Sequence, residues 1–126
     1  MSRIIIASRS APAAPTSYSQ AVKAAGLVFV SGTAPIDPAT GKLVEGPVEA
    51  QVAQCLTNIA AILEEAGSSL AQAVSATLII ADEDDFAAAS KEWEKWFPID
   101  PPARQGAKMP VRVPGMKVSI AMIALA

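Results

Sequence analysis

Gly46-Pro-Val-Glu-Ala-Gln-Val-Ala-Gln-Cys-Leu-Thr-Asn-Ile-Ala-Ala-Ile-Leu-Glu-Glu-Ala-Gly67 is the stretch that decides the fold. Apolar residues recur at Val48, Val52, Cys55, Leu56, Ile59, Ile62, Leu63 and Ala66. That spacing follows the helical period over roughly five turns. Pro47 falls in the opening turn, where its missing N–H costs nothing. Gly67 stands where a helix passes into a left-handed residue. Glu49, Gln51, Gln54, Asn58 and Glu65 lie off the stripe and are expected to be solvated. A helix with one apolar stripe needs a partner layer, so its flanks must supply a sheet.

The flanks have strand composition. Upstream, Arg3 to Ala7 is β-branched, Ser19 to Lys23 can pair, and Leu27 to Ser31 is a short apolar run. Ser10 to Pro15 reads as an extended loop, and Gly26 separates two of the strands. Pro35-Ile-Asp-Pro-Ala-Thr-Gly41 is dense in turn formers, with Lys42 to Val44 returning as a strand. Downstream, Val74 to Ala81 has the continuous apolar end of a central strand. A second helix is expected from about Asp85 to Phe97, with Phe86, Ala89, Trp93, Trp96 and Phe97 as its apolar face. Pro98, Pro101 and Pro102 stop it. Ala103 to Met109 and Met116 to Leu125 are two further strands, joined through Val111-Arg-Val-Pro-Gly115 with a turn at Pro114-Gly115. The predicted fold is α+β, a mixed sheet of about six strands with two helices packed on one face.

The 126 residues suit one domain, 1–126, large enough for a real core. There is no His and one Cys, which excludes a Ser-His-Asp triad, a Cys-His dyad, a His-ligated metal and an internal disulfide. Net charge is −2 and the basic residues are scattered, so no nucleic-acid footprint is expected. No stretch approaches a membrane span, and a reduced cytoplasmic setting is the expectation. At 52% apolar residues, a chain this small is expected to hide part of its surface in an oligomer.

Asp82-Glu-Asp-Asp85 reads as an acidic helix start rather than a cation site. Glu64 and Glu65 are adjacent on a helix and point apart, so they are no acid/base pair. Cys55 on the apolar stripe reads as a buried, inert thiol. Trp93 and Trp96 read as packing rather than a stacking platform, with lining of a pocket or a subunit contact left open for one of them. Arg104 follows Pro101-Pro-Ala, where the backbone is pre-ordered. Its planar fork suits a carboxylate in two places. A structural salt bridge and a ligand clamp are equally compatible with that placement.

The chain resembles the RidA/YjgF family of enamine/imine deaminases, also labelled endoribonuclease L-PSP-like. The resemblance rests on Ala11-Pro-Ala-Ala-Pro-Thr-Ser-Tyr-Ser-Gln-Ala21, Val28-Phe-Val-Ser-Gly32 with Asp37-Pro-Ala-Thr-Gly41, Leu63-Glu-Glu-Ala-Gly67 and Pro102-Ala-Arg104. Asp84-Asp-Phe86 and the Ile-Ala of the last strand also fit. The match runs in order over nearly the whole chain. It implies a chorismate-mutase-like fold, a homotrimer and ligand clefts between subunits. It also implies hydrolysis of reactive 2-imino or enamino acids to 2-keto acids and ammonia, with no cofactor and no metal. By that resemblance the expected catalytic residues are Arg104, Tyr18 and Ser119. Arg104 anchors the carboxylate of a small imino or keto acid, and Ser31, Gly32, Gly106, Phe86 and Ser90 complete the contacts. The departures from the family pattern are Gly106 where Cys is frequent, Ser90 where Asn is common, and Ser119-Ile-Ala121 where the family has Glu-Ile-Glu. Loss of a carboxylate at Ser119 makes a non-catalytic binding module for keto acids the alternative reading. A ribonuclease finds neither His nor a basic stripe here.

Overall fold

The computed structural model describes residues 2–109 and 113–126. Eight strands and two α-helices follow in the order β1 (Ile4–Ile6), β2 (Ala21–Ala24), β3 (Leu27–Thr33), β4 (Ile36–Asp37), β5 (Lys42–Leu43), α1 (Val48–Glu65), β6 (Ala73–Ile80), α2 (Phe86–Trp96), β7 (Ala103–Lys108) and β8 (Val118–Leu125). Six strands form one sheet in the order β1-β2-β3-β8-β6-β7, and β4 and β5 pair apart as a small hairpin. Only β6 and β7 run parallel, and the other ladders are antiparallel. The sheet is therefore mixed, as the order of elements along the sequence predicts. Val111 and Arg112 of the expected connection lie outside the described residues, while Pro114 and Gly115 form a turn.

Both helices cover one face. Val28, Val30, Ala76, Leu78, Ile80, Val118, Ile120, Met122 and Ala124 alternate inward along the strands and meet Val52, Leu56, Ile59 and Leu63 of α1. The end of α1 follows from Gly67, at φ +81. Its N–H donates to the Glu64 carbonyl and that of Ser68 to the Leu63 carbonyl, a Schellman pair that closes the helix. Pro47 is the residue before the first helical one, not within the first turn. β2 and β3 are joined by Ala25 and Gly26, both at positive φ, a two-residue turn whose twist matches the strands.

Two expectations about α1 are overturned. Gln51 and Asn58, read as solvated, are 1% and 0% exposed. Gln51 Nε2 donates to the carbonyls of Val44 and Gly115, and its Oε1 accepts from Lys117 N. Asn58 Nδ2 donates to Ala34 and Ile36, and its Oδ1 accepts from Gln54. Loop carbonyls from outside the helix replace water, so the amides bury at no loss of hydrogen bonds. The acidic run also differs in detail. Asp82 Oδ1 accepts from Asp84 N and caps a short 3-10 turn, Glu83–Asp85, which leads into α2. Asp85 makes no side-chain cap.

The opposite face of the sheet carries no helix. Register places Ile5, Val22, Phe29 and Ile123 side by side across β1, β2, β3 and β8 on that face. Ile5 and Phe29 remain 52% and 41% exposed.

Candidate active site

The residues predicted to act together fall into two groups. The first lies where β3 is irregular. Val30 pairs with Met122 and Thr33 with Ile120, so three steps on β3 oppose two on β8 and a bulge forms at Ser31 and Gly32. Ser31 N donates to the Gln20 carbonyl, and Ser31 Oγ donates to the Ser19 carbonyl at 2.6 Å. Gln20 is itself buried. Its Nε2 donates to the carbonyls of Ser8 and Pro12, and its Oε1 accepts from Ser8 N. These bonds hold the loop that carries Tyr18, whose side chain stays exposed. Tyr18, Ser31 and Gly32 line one cavity of about 80 Å³ together with Pro12, Ala13 and Ala34. Gly32 faces Ser119: a Cβ on Gly32 would stand 3.4 Å from Ser119 Oγ. Ser119 pairs with Ile79 and lies on the helix-free face, between inward-facing Val118 and Ile120.

The second group lies on β7, the edge strand. Arg104 and Gly106 are in register with Ala76 and Leu78 and therefore face the helices. Arg104 Nη2 donates to Ser90 Oγ at 3.2 Å. Its guanidinium carbon lies 5.6 Å from the ring centres of both Phe86 and Trp93. Phe86, Ser90 and Trp93 are spaced at i, i+4 and i+7, so one face of α2 presents all three. Trp93, read above as packing with a pocket-lining role left open, is buried and also borders the guanidinium. Its signal is that spacing from Phe86, read against a single unassigned Arg. Among the described residues no carboxylate lies within ion-pair distance of Arg104; the one ion pair is Lys95–Glu92. The salt-bridge reading of Arg104 therefore has no partner in this group.

The remaining polar candidates are accounted for locally. Cys55 is fully buried, its Sγ donates to the Thr33 carbonyl, and burial pushes its thiol pKa well up. Trp96 Nε1 donates to Glu92. Among the described residues, no three His, Cys, Asp or Glu side chains converge as a metal site, and no helix is long and apolar enough to cross a membrane.

The comparison with known proteins decides the kinship. Residues 8–126 match the family described as endoribonuclease L-PSP. The chain belongs to that family, the Rid/YjgF proteins. Among Rid relatives, it is 39% identical over 123 residues to 2-iminobutanoate/2-iminopropanoate deaminase of Capra hircus, covering 98% of this chain and 90% of that one. It is 42% identical over 111 residues to the mitochondrial protein mmf1 of Schizosaccharomyces pombe, covering 86% and 67%. The Rid fold is equally plain. The crystal structure of YyfA from Yersinia pestis, a conserved Rid protein of unknown function, superposes with a TM-score of 0.94 at 32% identity over 99% and 100% of the two chains. That of TdcF from E. coli with bound serine gives 0.90 at 30% identity over 98% of each. The α+β architecture read from the sequence is that of the Rid proteins.

Proposed function

We propose that this protein hydrolyses reactive 2-imino and enamino acids to 2-keto acids and ammonia, in a cleft that two copies of the chain complete. The observation that carries the reading is Arg104: a guanidinium set between two aromatic rings and a serine hydroxyl, with no carboxylate of its own group to satisfy it. A charge of this kind is suited to a carboxylate brought by a ligand. Relatives named 2-iminobutanoate/2-iminopropanoate deaminase and Reactive Intermediate Deaminase A support the same chemistry.

Separation of the two groups supports a shared cleft. From β3 to β7 there are three strand steps. At about 4.8 Å each they span about 14 Å, more than a small imino acid bridges. Arg104 faces the helices, while Ser119 faces the bare side of the sheet. Uniting Arg104 with Tyr18, Ser31 and Gly32 on one small substrate therefore calls for a second copy. The stripe of exposed Ile5 and Phe29 with half-buried Val22 and Ile123 gives copies an apolar surface to share. In this reading the assembly is a homotrimer in the cytoplasm, and a small carboxylate is its ligand.

In the reaction, Arg104 holds the substrate carboxylate and so fixes C2. A protonated imine is already electrophilic, and positioning supplies much of what catalysis needs. An enamino acid first takes a proton from solvent at C3 to become that imine. Water then adds to C2, one proton passes from the added oxygen to nitrogen, and the C–N bond breaks as the remaining hydroxyl proton leaves, giving the keto acid and ammonium. The Ser119 hydroxyl holds the water by hydrogen bonding, and the Tyr18 hydroxyl donates to the substrate.

The test is direct. A serine dehydratase generates 2-aminoacrylate, and pyruvate release is followed with and without the pure protein. Acceleration that Arg104→Ala abolishes supports the reading. Acceleration untouched by Arg104→Ala overturns it. Arg104-dependent keto-acid binding without acceleration identifies the chain instead as a binding module, the reading favoured by Ser in place of Glu at 119. Native mass spectrometry tests the trimer.

A further inference from the structure

The β7 backbone at Gly106 lies under the ring of Phe86. A Cβ added there would meet Phe86 Cε2 at 2.6 Å and Cζ at 2.8 Å, distances that side chains do not tolerate. Gly106 has no positive φ, so its lack of a side chain is not a matter of backbone conformation. It is a matter of space, and Phe86 occupies that space. The same ring is one wall of the Arg104 enclosure, and Trp93 is the other. Trp93 is buried and is backed by Phe97, with ring centres 4.4 Å apart. Trp93 therefore stands as a fixed wall, while Phe86 rests on glycine.

We propose that Phe86 and Trp93 are positioning residues for the carboxylate anchor, and that in this chain Gly106 leaves the room the ring of Phe86 occupies. The inference rests on the reading of Arg104 as that anchor. An arginine side chain turns about several bonds, and an unpaired one on an edge strand samples many directions. Two aromatic faces within about 6 Å attract the guanidinium through their ring quadrupoles and narrow that range without using its donors. Ser90 takes one donor. The other N–H groups stay available to a ligand in a direction set before it arrives. A side chain at 106 pushes the ring of Phe86 aside. The ring is the far end of a mobile side chain, so the protein folds, but the guanidinium loses one wall. Positions 86 and 106 are thus coupled.

The experiment compares wild type with Gly106→Ala, Phe86→Ala, the double variant, Trp93→Leu and Trp93→Phe. Affinity for 2-ketobutyrate is measured by calorimetry, KM and kcat with enzymatically generated 2-aminoacrylate, and the Arg104 Nε–H resonance by NMR. Expected for Gly106→Ala are about tenfold weaker binding, a KM raised more than kcat is lowered, and a downfield move of the Nε–H as ring shielding is lost. The double variant is expected to be no worse than the weaker single one, since both remove the same wall. Trp93→Phe keeps most of the affinity that Trp93→Leu loses. Additive losses in the double variant, or a Gly106→Ala protein with wild-type affinity and an unmoved resonance, overturn the proposal. If wild type neither binds nor converts any small carboxylate, the anchor reading fails and the positioning role fails with it. The resonance then separates the cases: a move in Gly106→Ala leaves the aromatic enclosure standing as structure, and no move removes that as well.

Discussion

Ser31 donates its hydroxyl to the carbonyl of Ser19, so a bulge in the third strand tethers the loop that bears Tyr18. The serine that family resemblance assigns to the ligand is already engaged by its own chain. What it offers a substrate is its oxygen as an acceptor and the placement of Tyr18. Ser31→Ala is expected to lower stability by about 1 kcal/mol, the usual worth of one such bond. It is also expected to raise KM while changing kcat less, as the Tyr18 loop loosens. Denaturant titration and steady-state kinetics check both.

Arg104→Lys separates charge from shape. Lysine keeps the positive charge but has no planar fork and a compact ammonium that prefers water. Keto-acid affinity is expected to fall by about tenfold, or about 1.4 kcal/mol. The melting temperature should hold within a few degrees, because no ion pair is broken. Calorimetry alongside thermal unfolding decides.

Ser119→Glu supplies a carboxylate beside Gly32, where the family pattern has one. A positioned general base contributes roughly 100-fold or more. The variant is expected to raise kcat on 2-aminoacrylate at least tenfold over wild type, with little change in KM. An unchanged kcat shows that water positioning by Ser119 does not limit the rate.

Cys55 yields a pH dependence. Burial raises its thiol pKa in the folded state, so folding favours the neutral thiol. That contribution is complete below the unfolded thiol value, near about 8.5, and falls as pH rises above it. Stability is expected to decline between about pH 8.5 and 10, at up to about 1.4 kcal/mol per pH unit from this group. Cys55→Ala should flatten that part of the slope. Urea titrations across the range measure it, and a thiol reagent should label the native protein only through opening.

Ala25 sits at φ +54 in the turn between β2 and β3, a conformation that costs a residue with a Cβ about 1 kcal/mol. Ala25→Gly or Ala25→Asn is expected to return about that much stability, with activity unchanged. Differential scanning calorimetry reads the gain.

The long helix was legible because its period, its proline and its glycine agree, and each acts locally. Its polar side chains were not. Gln51 and Asn58 look wet beside Glu49 and Glu65, since the carbonyls that satisfy them lie outside the helix, in Ala34, Ile36, Val44 and Gly115. Arg104 stood out because prolines order its approach, while the absence of a carboxylate partner among the described residues, with Asp100 only four residues away in sequence, emerged from the structure. Trp93 did not stand out, because an aromatic at helical spacing reads equally well as core. The division of the site into two groups was hidden for another reason. It depends on strand order, and β8 enters between β3 and β6 without any local mark in the sequence.

That placement of β8 bears on how the chain is made. The strand that follows all others occupies the interior of the sheet, between β3 and β6. Until it has emerged from the ribosome, both neighbours hold an unpaired apolar ladder, and the meander of β1 to β3 cannot join β6 and β7. The nascent chain is therefore a holding state with two sticky edges. Without β8, β3 and β6 have no shared partner, and the two halves of the sheet come apart as separate sticky edges.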